Sequence, residues 1–201
     1  MGTYKIRKPI QKRSIAKKER IIENGFKLIC DKGYYNVNTN DIAKAAGVST
    51  GIVYQYFKNK HGILLDGINK YSDEIFFPML SIPEDAIINK EDFKSRLSQM
   101  INKFIKEHKL SYNAHQEIMA MYYTDSEINQ LFNSKELEMT EKVTKILLNS
   151  GFKTENIAEK VHLSINTIDN LCHEIVFHKH KDLDYEKMIN IVINFICDIL
   201  C

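Results

Sequence analysis

Between residues 39 and 60 the chain concentrates side chains suited to holding a polyanion and reading hydrogen-bonding edges: Thr39, Asn40, Thr50, Gly51, Tyr54, Gln55, Tyr56 and Lys60. Tyrosine hydroxyls and a lysine ammonium reach phosphate oxygens, whereas a glutamine amide pairs with base edges. Thr50 and Gly51 are small, so the helix start that carries them can approach a groove closely. No Gly-rich phosphate loop, nucleophile elbow or strong metal motif accompanies them. The chemistry on offer is nucleic-acid recognition, and no catalytic, cofactor or metal residue is assigned.

Two short helices joined by a tight turn position these groups. Thr39 is read as the N-cap of the first, with Asp41 near its positive end. Ile42, Ala43 and Ala46 give that helix a small inward face. Gly47 is the turn residue, where a positive φ is unstrained without a β-carbon. Ser49 then caps the second helix, with Val53 and Phe57 inward and Thr50, Gly51, Tyr54, Gln55, Tyr56 and Lys60 outward. The pattern predicts a helix-turn-helix.

The run Ile42-Ala43, Ala46-Gly47-Val48-Ser49, Gly51, Tyr54, Tyr56-Phe57 and Lys60 resembles the signature of the TetR family of bacterial transcriptional repressors over about residues 15–70. The resemblance implies an all-α homodimer with an N-terminal operator-binding domain and a C-terminal ligand-binding and dimerisation domain. The sequence departs from the family where an acidic residue usually follows the lysine, since His61 and Gly62 stand there. Gly62 and Gly67 each lower the propensity of the next helix by roughly 1 kcal/mol relative to Ala.

Charge is divided along the chain. Residues 1–70 hold 14 Lys and Arg against 5 Asp and Glu (+9), and residues 71–201 hold 14 against 21 (−7), which gives the net +2. A basic head on an acidic body suits a protein that meets DNA with one end. The basic residues of the first 20 positions suit either an arm entering a minor groove or a weakly attracting tail. No signal-peptide core or transmembrane run is evident, and Cys30, Cys172, Cys197 and Cys201 form no CxxC pair, so a reduced cytoplasm is expected. A redox-sensing Cys197 or Cys201 is the alternative to plain thiols.

Apolar periodicity predicts about nine helices: three in the head, counting one over 14–32, and the rest in the body. A capping box at Thr124 and Glu127 is read ahead of the helix over 126–149, and the eighth helix is read from just after Thr154. The expected organisation is a flexible basic arm (1–13), a DNA-binding domain (14–58) and an effector-binding and dimerisation domain (59–201). Phe76, Met100, Phe104, Tyr112, His115, Met119, Tyr122 and Tyr123 are candidates to line an effector pocket, or simply to fill a core. The last two helices are more apolar than one core requires. Ile165, Ile168, Leu171, Ile175, Met188, Ile189, Val192 and Ile196 are the candidate dimer seam. The expected function is a repressor that binds operator DNA as a homodimer and is released by a small organic effector. Control by a protein partner, or by no ligand, is the alternative. Neither an enzyme nor a membrane partner is expected.

Overall fold

The computed structural model describes residues 12–75, 78–110 and 112–201, with side chains described except at 72–75, 78, 107–110 and 112–115. Among these the chain is all-helical, with no strand. The helices are α1 (Lys12–Lys32), α2 (Thr39–Ala45), α3 (Thr50–Tyr56), α4 (Lys60–Ile75), α5 (Lys90–Leu110), α6 (Tyr112–Tyr122), α7 (Ser126–Asn149), α8 (Ile157–Phe177) and α9 (Tyr185–Leu200). Most of the expected arm, and Phe76, lie outside the described residues.

The helices form two compact units rather than following a single cut at residue 58. The first holds the chain to Ser72 together with Tyr112–Leu131, and the second holds Asp73–Ser111 and Phe132–Cys201. In the first, α1 buries Ile21, Ile22, Phe26 and Ile29, and α2, α3 and α6 pack on it. Ile42, Val53, Ile63 and Leu64 complete the core, each no more than 1% exposed. The helices approach closely because of small residues. A β-carbon at Gly67 would lie 2.5 Å from the Phe26 ring, so this glycine serves packing and is not free to bend α4. Gly62 has no such constraint, with the nearest atom, on Phe57, at 3.6 Å.

Three helix starts differ from the sequence expectation. Asn38, not Thr39, caps α2: its side chain accepts the Asn40 and Asp41 amides, and Asp41 returns a bond to the Asn38 amide. Asn is a stronger cap than Thr, and it places the reciprocal acid three residues on. At α7, Asp125 Oδ1 accepts the Glu127 and Ile128 amides at 3.0 and 3.2 Å. The Thr124 hydroxyl instead donates back to carbonyls of α6. Helix α8 starts at Ile157, because Asn156 adopts the left-handed conformation just before it (φ 53°).

In the second unit α5 packs on α8 and α9, which pack on each other. The segment before α5 is held to α7 at three points. The Lys142 ammonium donates to the Leu80 carbonyl (2.6 Å), Lys145 pairs with Glu84 (3.2 Å), and the Ile88 amide donates to Ser150 Oγ (2.8 Å). Asp184 caps α9 by accepting the Lys187 amide. The Tyr185 hydroxyl ties the start of α9 to α8 through Glu174 at 3.0 Å. Burial pushes the Cys172 and Cys30 thiols up to about 12, which keeps them protonated and unreactive. Cys197 and Cys201 are raised as well, first by burial, which disfavours the thiolate.

Candidate nucleic-acid interface and effector cavity

The helix-turn-helix is built from α2 and α3. Gly47 takes φ 62° at the turn, and Val48 returns its amide to the Ala43 carbonyl at 3.0 Å. Val53 on α3 and Ile42 and Ala43 on α2 are buried. Their burial leaves the opposite face outward: Gly51, Tyr54 and Gln55 are exposed, and Thr50 is partly so. Thr50 Oγ1 donates to Asn40 Oδ1 at 2.8 Å, which fixes the Asn40 amide beside the start of α3. Asn40 is exposed and Thr39 half-buried on the adjoining edge. Thr39, Asn40, Thr50, Gly51, Tyr54 and Gln55 thus lie together along α3 and the start of α2.

Two of the expected contacts face inward. Tyr56 is 6% exposed, and its hydroxyl bonds Ser14 Oγ at 2.8 Å, so it joins α3 to α1. The reason is helical spacing: Tyr56 follows buried Val53 by three residues and shares its face. Lys60 donates to the Tyr34 and Val37 carbonyls at 2.5 and 2.8 Å, and its ammonium lies 4.2 Å from the Tyr34 ring centre. It closes the loop after α1 instead of reaching outward, and burial lowers its pKa. Lys44 on α2 and Lys58 just after α3, which the sequence reading passed over, are exposed. A charge count over the motif would have found them.

Next to Lys60, His61 Nε2 lies 2.7 Å from Asp125 Oδ2 and Nδ1 lies 3.4 Å from Glu127 Oε2. These three are the one group among the described residues with spacing near that of a metal site. Burial of Asp125 opposes its ionisation. The Ile128 amide, His61 and the Glu127 amide outweigh that and hold the carboxyl below its usual value.

The second unit contains a cavity of about 380 Å³, within the ~300–1,000 Å³ range of small-molecule sites. Its walls are Met79, Ile82, Ala86 and Ile88 ahead of α5, Phe93 to Phe104 along α5, Val143 and Leu147 of α7, and apolar residues of α8 and α9. Of the expected pocket residues, Met100 and Phe104 line it. Met119, Tyr122 and Tyr123 do not: they belong to the first unit, where Ile118 and Met121 carry the buried face of α6 and Tyr123 is 79% exposed. The Phe76, Tyr112 and His115 side chains lie outside the described residues. Arg96, Gln99 and Lys103 line the cavity without having been expected, since isolated polar residues on an amphipathic helix read as a solvated face.

Half of the expected dimer-seam residues are taken by the chain's own core. Ile165, Ile168, Leu171 and Ile196 are 1–5% exposed within one subunit, and all but Leu171 line the cavity. Ile175, Met188, Ile189 and Val192 are half-buried. The apolar side chains left outward are Leu163 on α8 (57% exposed) and Ile191 and Phe195 on α9 (65% and 44%). Periodicity showed that these helices bury more than one face, without showing which face the subunit's own core takes.

Comparison with known proteins places this architecture. Residues 21–66 match the family model "Bacterial regulatory proteins, tetR family". The chain is 24% identical over 185 residues to the uncharacterised HTH-type transcriptional regulator YuxN of Bacillus subtilis, covering 92% of this chain and 63% of the relative. It therefore spans less than two thirds of that relative's length. It is 30% identical over 144 residues to the fatty acid metabolism regulator protein of B. subtilis, covering 69% of this chain and 66% of that one. Among solved structures, a transcriptional regulator from Mesorhizobium loti assigned to the TetR family superposes with a TM-score of 0.72 at 16% identity, covering 94% of this chain and 98% of that one. The fold and the reading motif match those of helix-turn-helix transcriptional regulators. The chain belongs to the TetR family.

Proposed function

We propose that the protein is a cytoplasmic repressor that binds operator DNA as a homodimer and lets go when a small organic effector enters the second unit. The cavity carries the effector half of this reading, because a ligand-sized, mostly apolar space in the subunit core favours a small molecule over control by a protein partner. Thr39, Asn40, Thr50, Gly51, Tyr54 and Gln55 face the operator, with Lys44 and Lys58 supplying phosphate contacts. Leu163, Ile191 and Phe195 form the seam between subunits, replacing the residues that the subunit core takes. A two-fold dimer presents two reading helices about one DNA turn apart.

The test fills the cavity. Small organic compounds are screened for thermal stabilisation of the wild type and of Ile168→Trp. Hits should stabilise only the wild type and lower its operator affinity 5- to 150-fold, the span of a typical coupling of roughly 1–3 kcal/mol. Hits that act equally on both proteins would show that the cavity is not the effector site.

A further inference from the structure

The start of α4 meets the start of α7 at three side chains whose contacts are unequal. His61 Nε2 lies 2.7 Å from Asp125 Oδ2, the length of a charge-assisted hydrogen bond, while Nδ1 lies 3.4 Å from Glu127 Oε2. A doubly protonated ring would draw in both carboxylates, and the Glu127 side chain, 67% exposed, has room to close the gap. The gap instead suits a ring with its proton on Nε2, donated to Asp125, and a lone pair on Nδ1. Two acceptors, that lone pair and the Glu127 carboxylate, then face each other with no proton between them. One ligand atom from each of the three residues lies within 4.8 Å of the others. Among the described residues neither carboxylate pairs with Lys or Arg. The neighbouring Lys60 ammonium is held at the Tyr34 and Val37 carbonyls.

We propose that His61 Nδ1 and Glu127 hold a divalent transition-metal ion of the zinc class, and that Asp125 orients the imidazole from its far side. Two ligands at about 2.0–2.2 Å from a tetrahedral ion stand about 3.4 Å apart, which matches the separation of Nδ1 and Oε2. An imidazole joined to a carboxylate favours zinc or nickel over magnesium and calcium, which take oxygen ligands. Glu127 can offer one or both oxygens, and water completes the shell. A carboxylate on the other ring nitrogen is the usual device that fixes the tautomer of a metal-bound histidine. Asp125 is itself fixed, because its other oxygen accepts the Glu127 and Ile128 amides. Bound there, the ion ties the start of α4 to the start of α7. All three residues belong to the first unit, so the proposal does not rest on the effector cavity.

Calorimetric titration of the full chain with Zn²⁺ tests it, alongside His61→Gln, Glu127→Gln and Asp125→Asn. Zn²⁺ taken up by other histidines or cysteines is common to all four proteins, so the differences report this site. The wild type should bind one ion that His61→Gln and Glu127→Gln lose or bind at least ~10-fold more weakly. An asparagine keeps the α7 cap, but its amide donates to Nε2, which moves the ring proton to Nδ1 and removes the lone pair. Asp125→Asn should therefore weaken the site roughly 10- to 100-fold while leaving the metal-free melting temperature little changed. Excess Mg²⁺ should not displace the ion. Equal Zn²⁺ binding by the wild type and His61→Gln, or displacement by Mg²⁺, overturns the metal site. Loss of the ion in the other two variants with full binding by Asp125→Asn overturns the positioning role of Asp125.

Discussion

Lys60 shows how a single residue can match a motif while doing a different job. Its ammonium is held by two backbone carbonyls and the Tyr34 ring. Lys60→Ala should therefore lower stability by about 1–3 kcal/mol, since two part-buried carbonyls lose a charged donor. It should leave the salt dependence of DNA binding alone. Lys58→Ala should do the opposite and reduce the salt slope by about one unit with little change in unfolding. Denaturant melts and DNA titrations at several salt concentrations separate the two. Asp125 gives a pH signature. Its folded pKa is depressed, so its contribution is fully present above the unfolded value of about 3.9 and vanishes as the pH falls through the lower folded value. Asp125→Ala should remove both that acid-limb loss and the α7 cap, costing about 1–2 kcal/mol at neutral pH. A variant with an unchanged melting curve would place no stability in this cap.

At the scale of elements, most helix bounds were legible in the sequence, because the apolar period of 3.6 and stops such as Gly151 are local signals. The face each helix buries was harder to read. Tyr56 was read outward although it shares a face with Val53, and four of the eight α8 and α9 residues read as a dimer seam, Ile165, Ile168, Leu171 and Ile196, are buried in the chain's own core. An all-round apolar helix has no polar face to mark its orientation. The reading helix was the clearest element, since small, polar and aromatic residues of unlike types recur there in a fixed register. The redrawn seam predicts that Phe195→Glu or Ile191→Glu yields monomers by sedimentation at micromolar concentration, because a carboxylate at an apolar seam costs several kcal/mol. The fold should survive, as both positions are exposed in the subunit. Dimers that persist in both variants would put the interface elsewhere. On α4, Gly67→Ala should destabilise by about 1–3 kcal/mol through the clash with Phe26, and Gly62→Ala should be tolerated. A calorimetric comparison of the two variants checks this, and equal melting temperatures would refute it.

Across the whole molecule, the charge asymmetry and the helix-turn-helix were readable because they are properties of composition and of one short motif. The cavity was not, because it forms where α5, α7, α8, α9 and the segment ahead of α5 converge, and pairings between distant segments leave no local trace. The central claim is that a two-fold pair of α3 helices reads DNA through Tyr54 and Gln55. Selection of bound duplexes from a random pool, with sequencing of the enriched molecules, tests it most directly. The account predicts a motif with two-fold symmetry and half-sites about one DNA turn apart. It also predicts that Gln55→Ala changes base preference within each half-site while Tyr54→Phe weakens binding to all sequences. Failure to enrich any motif, or a motif without two-fold symmetry that Gln55→Ala leaves untouched, would contradict it.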